Sequence, residues 1–144
     1  MTQEDKELLL KDLCSRLPYG VKVQAFRRHS EEDPTVVGYP YTLDFIMMSI
    51  MFKDNIEEYK PYLFPLSSIT DEQKKEISKR YNYYNLYQSH VEITNHSEGY
   101  WDTDNSCNLH DYLWLEDWFN KNHFDYRGLI PKGLAIDATG LNIY

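Results

Sequence analysis

The sequence predicts one α+β domain over residues 1–144, with an N-terminal helix, a small antiparallel sheet or partly closed barrel, and two further helices packed on it. Leu9, Leu13 and Leu17 recur every four residues, the spacing of one helix face. "VKVQAF" (21–26) alternates apolar and polar positions, the period of a half-buried strand. Near the other end Tyr112, Leu115 and Phe119, joined by Trp118, return to helical spacing.

Thr2 and Asp5 open the first helix as an N-cap with an acidic third position, which suits the positive end of the helix dipole. Leu10 and Cys14 continue its apolar stripe, so Cys14 reads as a small buried hydrophobe. Glu7–Lys11 and Asp12–Arg16 are i,i+4 pairs in the favourable order and mark the wet face. Pro18-Tyr19-Gly20 ends the helix and turns the chain.

In the strand that follows, Val21, Val23 and Ala25 point one way and Lys22 and Gln24 the other. "RRHSEEDPTV" reads as a polar turn closed by Pro34. Residues 35 to 53 are nearly continuously apolar and predict one or two mostly buried strands, since an exposed "FIMMSIMF" strand would aggregate. Its methionines could serve an adaptable binding surface, but core filling is the expectation. Pro61 and Pro65 predict an extended, stiff connector. Thr70 and Gln73 form a capping box opening a second helix with Ile77, Tyr81 and Tyr84 on one face and a Glu76–Arg80 pair on the other. "HVEIT" reads as a short strand, "NHSEGYWDTDNSCN" as a loop, and a last helix runs from near Asn108 to about Lys121.

"HFDYRGLIPKGLAIDAT" (123–139) gathers His123, Asp125, Arg127 and two glycines, so closure of the core and catalysis both come into question. Gly128 and Gly133 let the chain bend sharply twice, so that Leu129-Ile130 and Leu134-Ala135-Ile136 dip into the core. Asp125 and Arg127 suit pairing with each other or with backbone ends. Closure needs no ligand, and it is the expectation here.

A formal charge of −8 works against sequence-independent nucleic-acid binding, which draws on lysines and arginines at phosphates. The one basic cluster, Arg27-Arg28-His29, is followed at once by Glu31-Glu32-Asp33. Two cysteines make no disulfide framework, and "MTQEDKELLL" has no basic leader. The expected setting is therefore a reducing cytoplasm, with no membrane partner.

"KDLCSRLPYGVKV" (11–23), "IEEYKPYLFPLSSITDEQKKE" (56–76) and "DWFNKNHFDYRGLIPKGLAIDA" (117–138) together resemble a family of small uncharacterised proteins encoded largely by phages and prophages of gut bacteria. The blocks cover about two fifths of the chain in the family's order. Between them the sequence departs freely, in the methionine-rich stretch and after residue 80. The resemblance implies no catalytic residues. It implies a mobile-element accessory protein acting in a bacterial host cytoplasm.

Cys107-x-x-His110, with His90 and His96 upstream, is the closest set of soft ligands. It departs from the two tight pairs of a structural zinc site, so no metal is assigned. Cys107, His110, His123 and Asp125 contain the residue types of a nucleophile and base, but no G-x-S-x-G, P-loop or Rossmann glycine pattern accompanies them. No catalytic residue or cofactor follows.

The compositional anomaly is aromatic: thirteen tyrosines stand against six phenylalanines. Tyr81, Tyr83, Tyr84 and Tyr87 go round a helix and cannot all face one core, and Tyr100 and Trp101 follow. These six are the candidate interaction residues. Single-stranded nucleic acid would want basic residues among them, and none lies between Arg80 and Lys121. The function expected is non-enzymatic protein–protein interaction in a phage or prophage, by inhibition of a host protein or by self-association. The alternatives are a small-ligand protein that binds or sequesters a nucleotide, and a metal- or thiol-dependent enzyme.

Overall fold

The structure is a computed structural model and describes residues 1–28, 34–53, 55–78 and 109–144. Helix α1 (Gln3–Arg16) opens on the capping box anticipated above. The Thr2 hydroxyl accepts from the Asp5 N–H, and the Asp5 carboxylate accepts from the Thr2 N–H. A short 3-10 turn through Pro18 then ends on Gly20 in the left-handed region, as the Pro-Tyr-Gly triplet requires.

Strand β1 (Lys22–Arg28) pairs on one side with β2 (Pro34–Thr42) and on the other with β3 (Tyr59–Leu63), both antiparallel. β4 (Ile136–Asp137) adds to β3 in parallel, giving the order β2-β1-β3-β4. The α+β class therefore holds, with a mixed sheet in place of the antiparallel one. Arg27 and Arg28 carry β1 into the stretch expected as a turn, and β2 starts at its Pro34, where a missing donor is tolerated.

Two expectations about elements are overturned. Residues 45–53 form helix α2 (Phe45–Lys53) and not a strand. Asp44 decides this locally: its side chain accepts from the Met47 N–H at 2.7 Å, as an N-cap does. Helical geometry then divides the apolar run into two faces. Met48 and Met51 go into the core, while Phe45, Ile46 and Ile50 stay outside, so the run is not mostly buried. The Pro61 segment is extended as expected, but it is the buried strand β3 and no mere connector.

Helix α3 (Asp71–Ser78) carries the anticipated capping box: the Thr70 N–H donates to the Gln73 side chain at 2.9 Å and the Gln73 N–H to the Thr70 hydroxyl at 3.3 Å. Helix α4 (Leu109–Lys121) lies where the late periodicity placed it, with Leu115, Trp118 and Phe119 buried.

Two apolar clusters hold these elements together. The first joins Leu9 and Leu13 of α1, Val21 and Val23 of β1, Met48 and Met51 of α2, and Leu129 and Leu134 of the C-terminal segment. The second is aromatic and gathers Trp118, Phe119, Phe124 and Tyr126 with Ile69 and Ile77. Within it Trp118 stacks on Phe124 at 5.6 Å between centroids, and Phe119 on Tyr126 at 5.5 Å.

Three buried polar positions correct the sequence reading. The α1 stripe is rotated by one row, so Asp12 and Arg16 have no exposed surface while Cys14 is exposed. Burial of the pair is possible because partners from α4 and the C-terminal segment complete it. Gln24 is also buried, with its side-chain carbonyl accepting from the Tyr62 hydroxyl at 3.1 Å.

The C-terminal segment does close the fold. The Phe64 N–H donates to the His123 carbonyl and the Asp125 N–H to the Phe64 carbonyl, and the Ala138 N–H donates to Leu63. Gly128 and Gly133 take φ of 71° and 69°, and both bends return apolar side chains to the core.

Candidate protein-binding face

Among the described residues, the three most exposed large apolar side chains, Tyr39, Phe45 and Ile46, fall in one run of chain, residues 39 to 50. Three local features put them there. First, β2 carries an irregularity opposite β1: Val23 pairs with Tyr41 but Ala25 with Val37, so two extra residues of β2 fall between them. Gly38 takes φ of 71° at that point, and the bulge leaves Tyr39 90 % exposed. Bulging also interrupts the outer edge of the sheet, which would otherwise template another strand.

Second, the Asp44 cap starts α2 immediately after the sheet. Third, at 100° per residue Phe45, Ile46, Ser49, Ile50 and Lys53 share the face opposite Met48 and Met51. Phe45 is 79 % exposed and Ile46 68 %, with Ile50 and Tyr41 also open. The Ser49 hydroxyl donates to the Ile46 carbonyl at 2.8 Å, so its own donor is already satisfied. The charges of residues 44–53 are Asp44 at one end and Lys53 at the other, both exposed. Exposed apolar side chains along one helix face with polar ends are a usual signature of a docking surface.

The six aromatic residues expected to bind, Tyr81, Tyr83, Tyr84, Tyr87, Tyr100 and Trp101, lie outside the described residues. So do "HVEIT", Arg80, His90, His96, Cys107 and residues 29–33 of the expected polar turn; of His110 the backbone alone is described. Among the described residues no group of three His, Cys, Asp or Glu side chains could hold a metal ion.

The other conspicuous cluster is built for structure. Arg127 donates through Nη1 to Asp12 at 3.1 Å and through Nη2 to Glu116 at 2.7 Å and the Ser15 hydroxyl at 3.3 Å. Its guanidinium lies 4.4 Å from the centre of the Tyr126 ring. Two arginines thus face two carboxylates, Asp12 and Glu116, and little charge is left over. Asp125 does not pair with Arg127. Its carboxylate accepts the Leu129 and Ile130 N–H groups at 2.8 and 2.7 Å, the backbone alternative named above. Burial raises its pKa, and those two N–H donors oppose the rise.

His123 takes φ of 59°, a conformation uncommon outside glycine. Its ring stacks on Tyr144 with centroids 4.1 Å apart, and no partner for its Nδ1 lies among the described residues. Burial, reinforced by the Arg16 charge, lowers its pKa to about 4. The Tyr144 hydroxyl accepts the Lys22 N–H and donates to the Tyr62 carbonyl at 2.7 Å, and burial pushes it up to about 12. His123, Asp125 and Arg127 are therefore each engaged in fixing the C-terminal segment.

A shallow groove of about 280 Å³ lies between the start of α1 and the end of α2, floored by Leu10, Met51 and Ile56. Its cation, Lys6, pairs with Glu57. No helix among the described residues is long and apolar enough to cross a membrane. Compared with protein families, curated proteins and solved structures, the chain shows no match.

Proposed function

We propose that this chain is a non-enzymatic protein–protein interaction module and that the outer face of α2, flanked by Tyr39 and Tyr41, is a docking surface. The observation that carries the reading is Phe45 and Ile46, two large apolar side chains on adjacent positions of one helix, both mostly in water. Leaving such surface exposed forgoes roughly 25 cal/mol for each Å² that folding could have buried. A partner that covers it recovers that free energy, and rigid rings contribute most per residue at interfaces. The resemblance to phage and prophage proteins supplies the setting, a mobile-element accessory protein in a bacterial cytoplasm. Self-association and capture of a host protein are the two forms such an interaction takes there.

The test is covalent. A photo-crosslinking amino acid at Phe45 or Ile50 should give discrete adducts in cells, and the same probe at Lys11 or Glu72, exposed on α1 and α3, should not. Absence of any adduct from the α2 positions would remove the basis for a docking face.

A further inference from the structure

We infer that the cleft where β1 and β3 part is a recognition slot for a phenol, filled within this chain by Tyr144 and open to a tyrosyl side chain of another chain when the tail lifts. The β1–β3 ladder ends at Val23–Pro61, and Pro61 brings no N–H to carry it on. The next positions in that register, Lys22 and Tyr62, are joined by the Tyr144 hydroxyl in place of a direct bond. That oxygen accepts from the Lys22 N–H at 3.1 Å and donates to the Tyr62 carbonyl at 2.7 Å.

The walls of the slot are aromatic. The Tyr144 ring stacks on His123 with centroids 4.1 Å apart and lies tilted against Phe64 at 5.7 Å. A backbone bond of 2.9 Å from the Phe64 N–H to the His123 carbonyl holds the two walls together without help from Tyr144. At the closed end one atom must accept and donate at once, which a hydroxyl does and a methyl ether or a bare ring does not. A flat ring carrying that hydroxyl opposite its point of attachment describes a tyrosyl side chain.

The tail enters the slot as a ligand would. Thr139 to Asn142 are exposed, and Tyr144 as a whole residue keeps 45 % of its surface open. Among the described residues, the hydrogen bonds of 139–143 stay local. The Thr139 N–H donates to the Asp137 carboxylate, the Leu141 N–H to the Ala138 carbonyl and the Ile143 N–H to the Leu141 carbonyl. Tyr144 is therefore the hydrogen-bonded anchor of the segment. A short tether gives an effective concentration in the millimolar range, so a competing phenol must approach that level. None of these groups belongs to α2 or to residues 39–41, so failure of the slot leaves the docking face untouched.

The test empties the slot and refills it. In the full chain carrying Tyr144→Ala, titration with p-cresol at millimolar concentration should shift the Lys22 amide resonance and slow its hydrogen exchange. The methyl ether of p-cresol, which cannot donate to the Tyr62 carbonyl, should bind at least about tenfold more weakly. The unsubstituted protein should also need at least about tenfold more p-cresol, since Tyr144 competes from within. The free peptide of residues 139–144 should protect Lys22 in the variant as p-cresol does, and the same peptide ending in Phe should not. Should Tyr144→Ala loosen the fold, p-cresol should raise its melting midpoint and the ether should not. No response to p-cresol, equal effects of p-cresol and its ether, or equal affinity with and without Tyr144 overturns the slot. Protection by p-cresol but not by the peptide overturns the claim that another chain can enter it.

Discussion

Arg16 donates through Nε and Nη2 to both carboxylate oxygens of Asp12, one turn earlier on α1, at 2.7 and 3.0 Å, and neither residue has any exposed surface. The guanidinium also reaches the Phe124 carbonyl at 2.7 Å. Removing one member of a buried pair typically costs about 3–5 kcal/mol when the other is left uncompensated, but Asp12 without Arg16 still accepts from Arg127 at 3.1 Å. Arg16→Met should therefore lose less than that, about 1.5–3 kcal/mol, in chemical denaturation. The double variant Asp12→Leu, Arg16→Met should be less damaged than the sum of its singles, since Arg127 keeps Glu116. Additive losses would mean that the two side chains do not act as a pair.

At the other end of the fold, Tyr144 should be worth about 1 kcal/mol through its hydroxyl alone. Tyr144→Phe keeps the stack on His123 but deprives the Lys22 N–H and the Tyr62 carbonyl of their shared partner. Hydrogen exchange at Lys22 should accelerate while exchange in α1 is unchanged. An unaltered Lys22 amide would show that water serves it equally well.

Acid should loosen the same corner. His123 has a folded pKa of about 4, below the 6.5 of a free imidazole. Between those values the unfolded chain binds more protons, so stability rises with pH across the window and is lost as pH falls from 6.5 towards 4. The full shift corresponds to at most about 3 kcal/mol. His123→Asn tolerates the positive φ and does not titrate, so its denaturation midpoint should depend less on pH over that range. Parallel pH profiles for the two proteins would assign the acid sensitivity elsewhere.

The β2 bulge depends on Gly38. A Cβ there would stand 3.2 Å from the Tyr41 hydroxyl, on a backbone at φ of 71°. Gly38→Ala should cost about 1–2 kcal/mol from the left-handed backbone, with the contact adding to it. Adding Tyr41→Phe should recover the contact and leave the backbone part, which thermal melts of the single and double variants can separate.

Where local chemistry decides structure, the sequence was readable. The Thr2 and Thr70 caps, the Gly20 turn and the periodicity of α4 each depend on residues a few positions apart, and each is present. α2 was misread because an unbroken apolar run has no period to count. Asp44, two residues after Thr42 and directly before that run, was the N-cap signal that could have corrected it. The Asp12–Arg16 pair was misread for a different reason. An i,i+4 ion pair looks the same on a wet face and in a core, and what distinguishes them are carbonyls more than a hundred positions later. The exposed apolar face of α2 followed from neither the aromatic count nor charge. It needed the helix first, since as a strand the same residues would have alternated between two sides.

Those distant carbonyls also impose an order on biosynthesis. The oxygens of Phe119 and Phe124 that receive Arg16 lie 103 and 108 positions downstream. At elongation rates of about 5–20 residues per second they leave the ribosome on the order of 5–20 s after α1 does. Until then the first helix has a carboxylate and a guanidinium facing where its interior will be, and 14 residues hold a helix only marginally in water. The nascent N-terminal half therefore waits for the last segment before its core can shut, and chaperones have that interval in which to engage it.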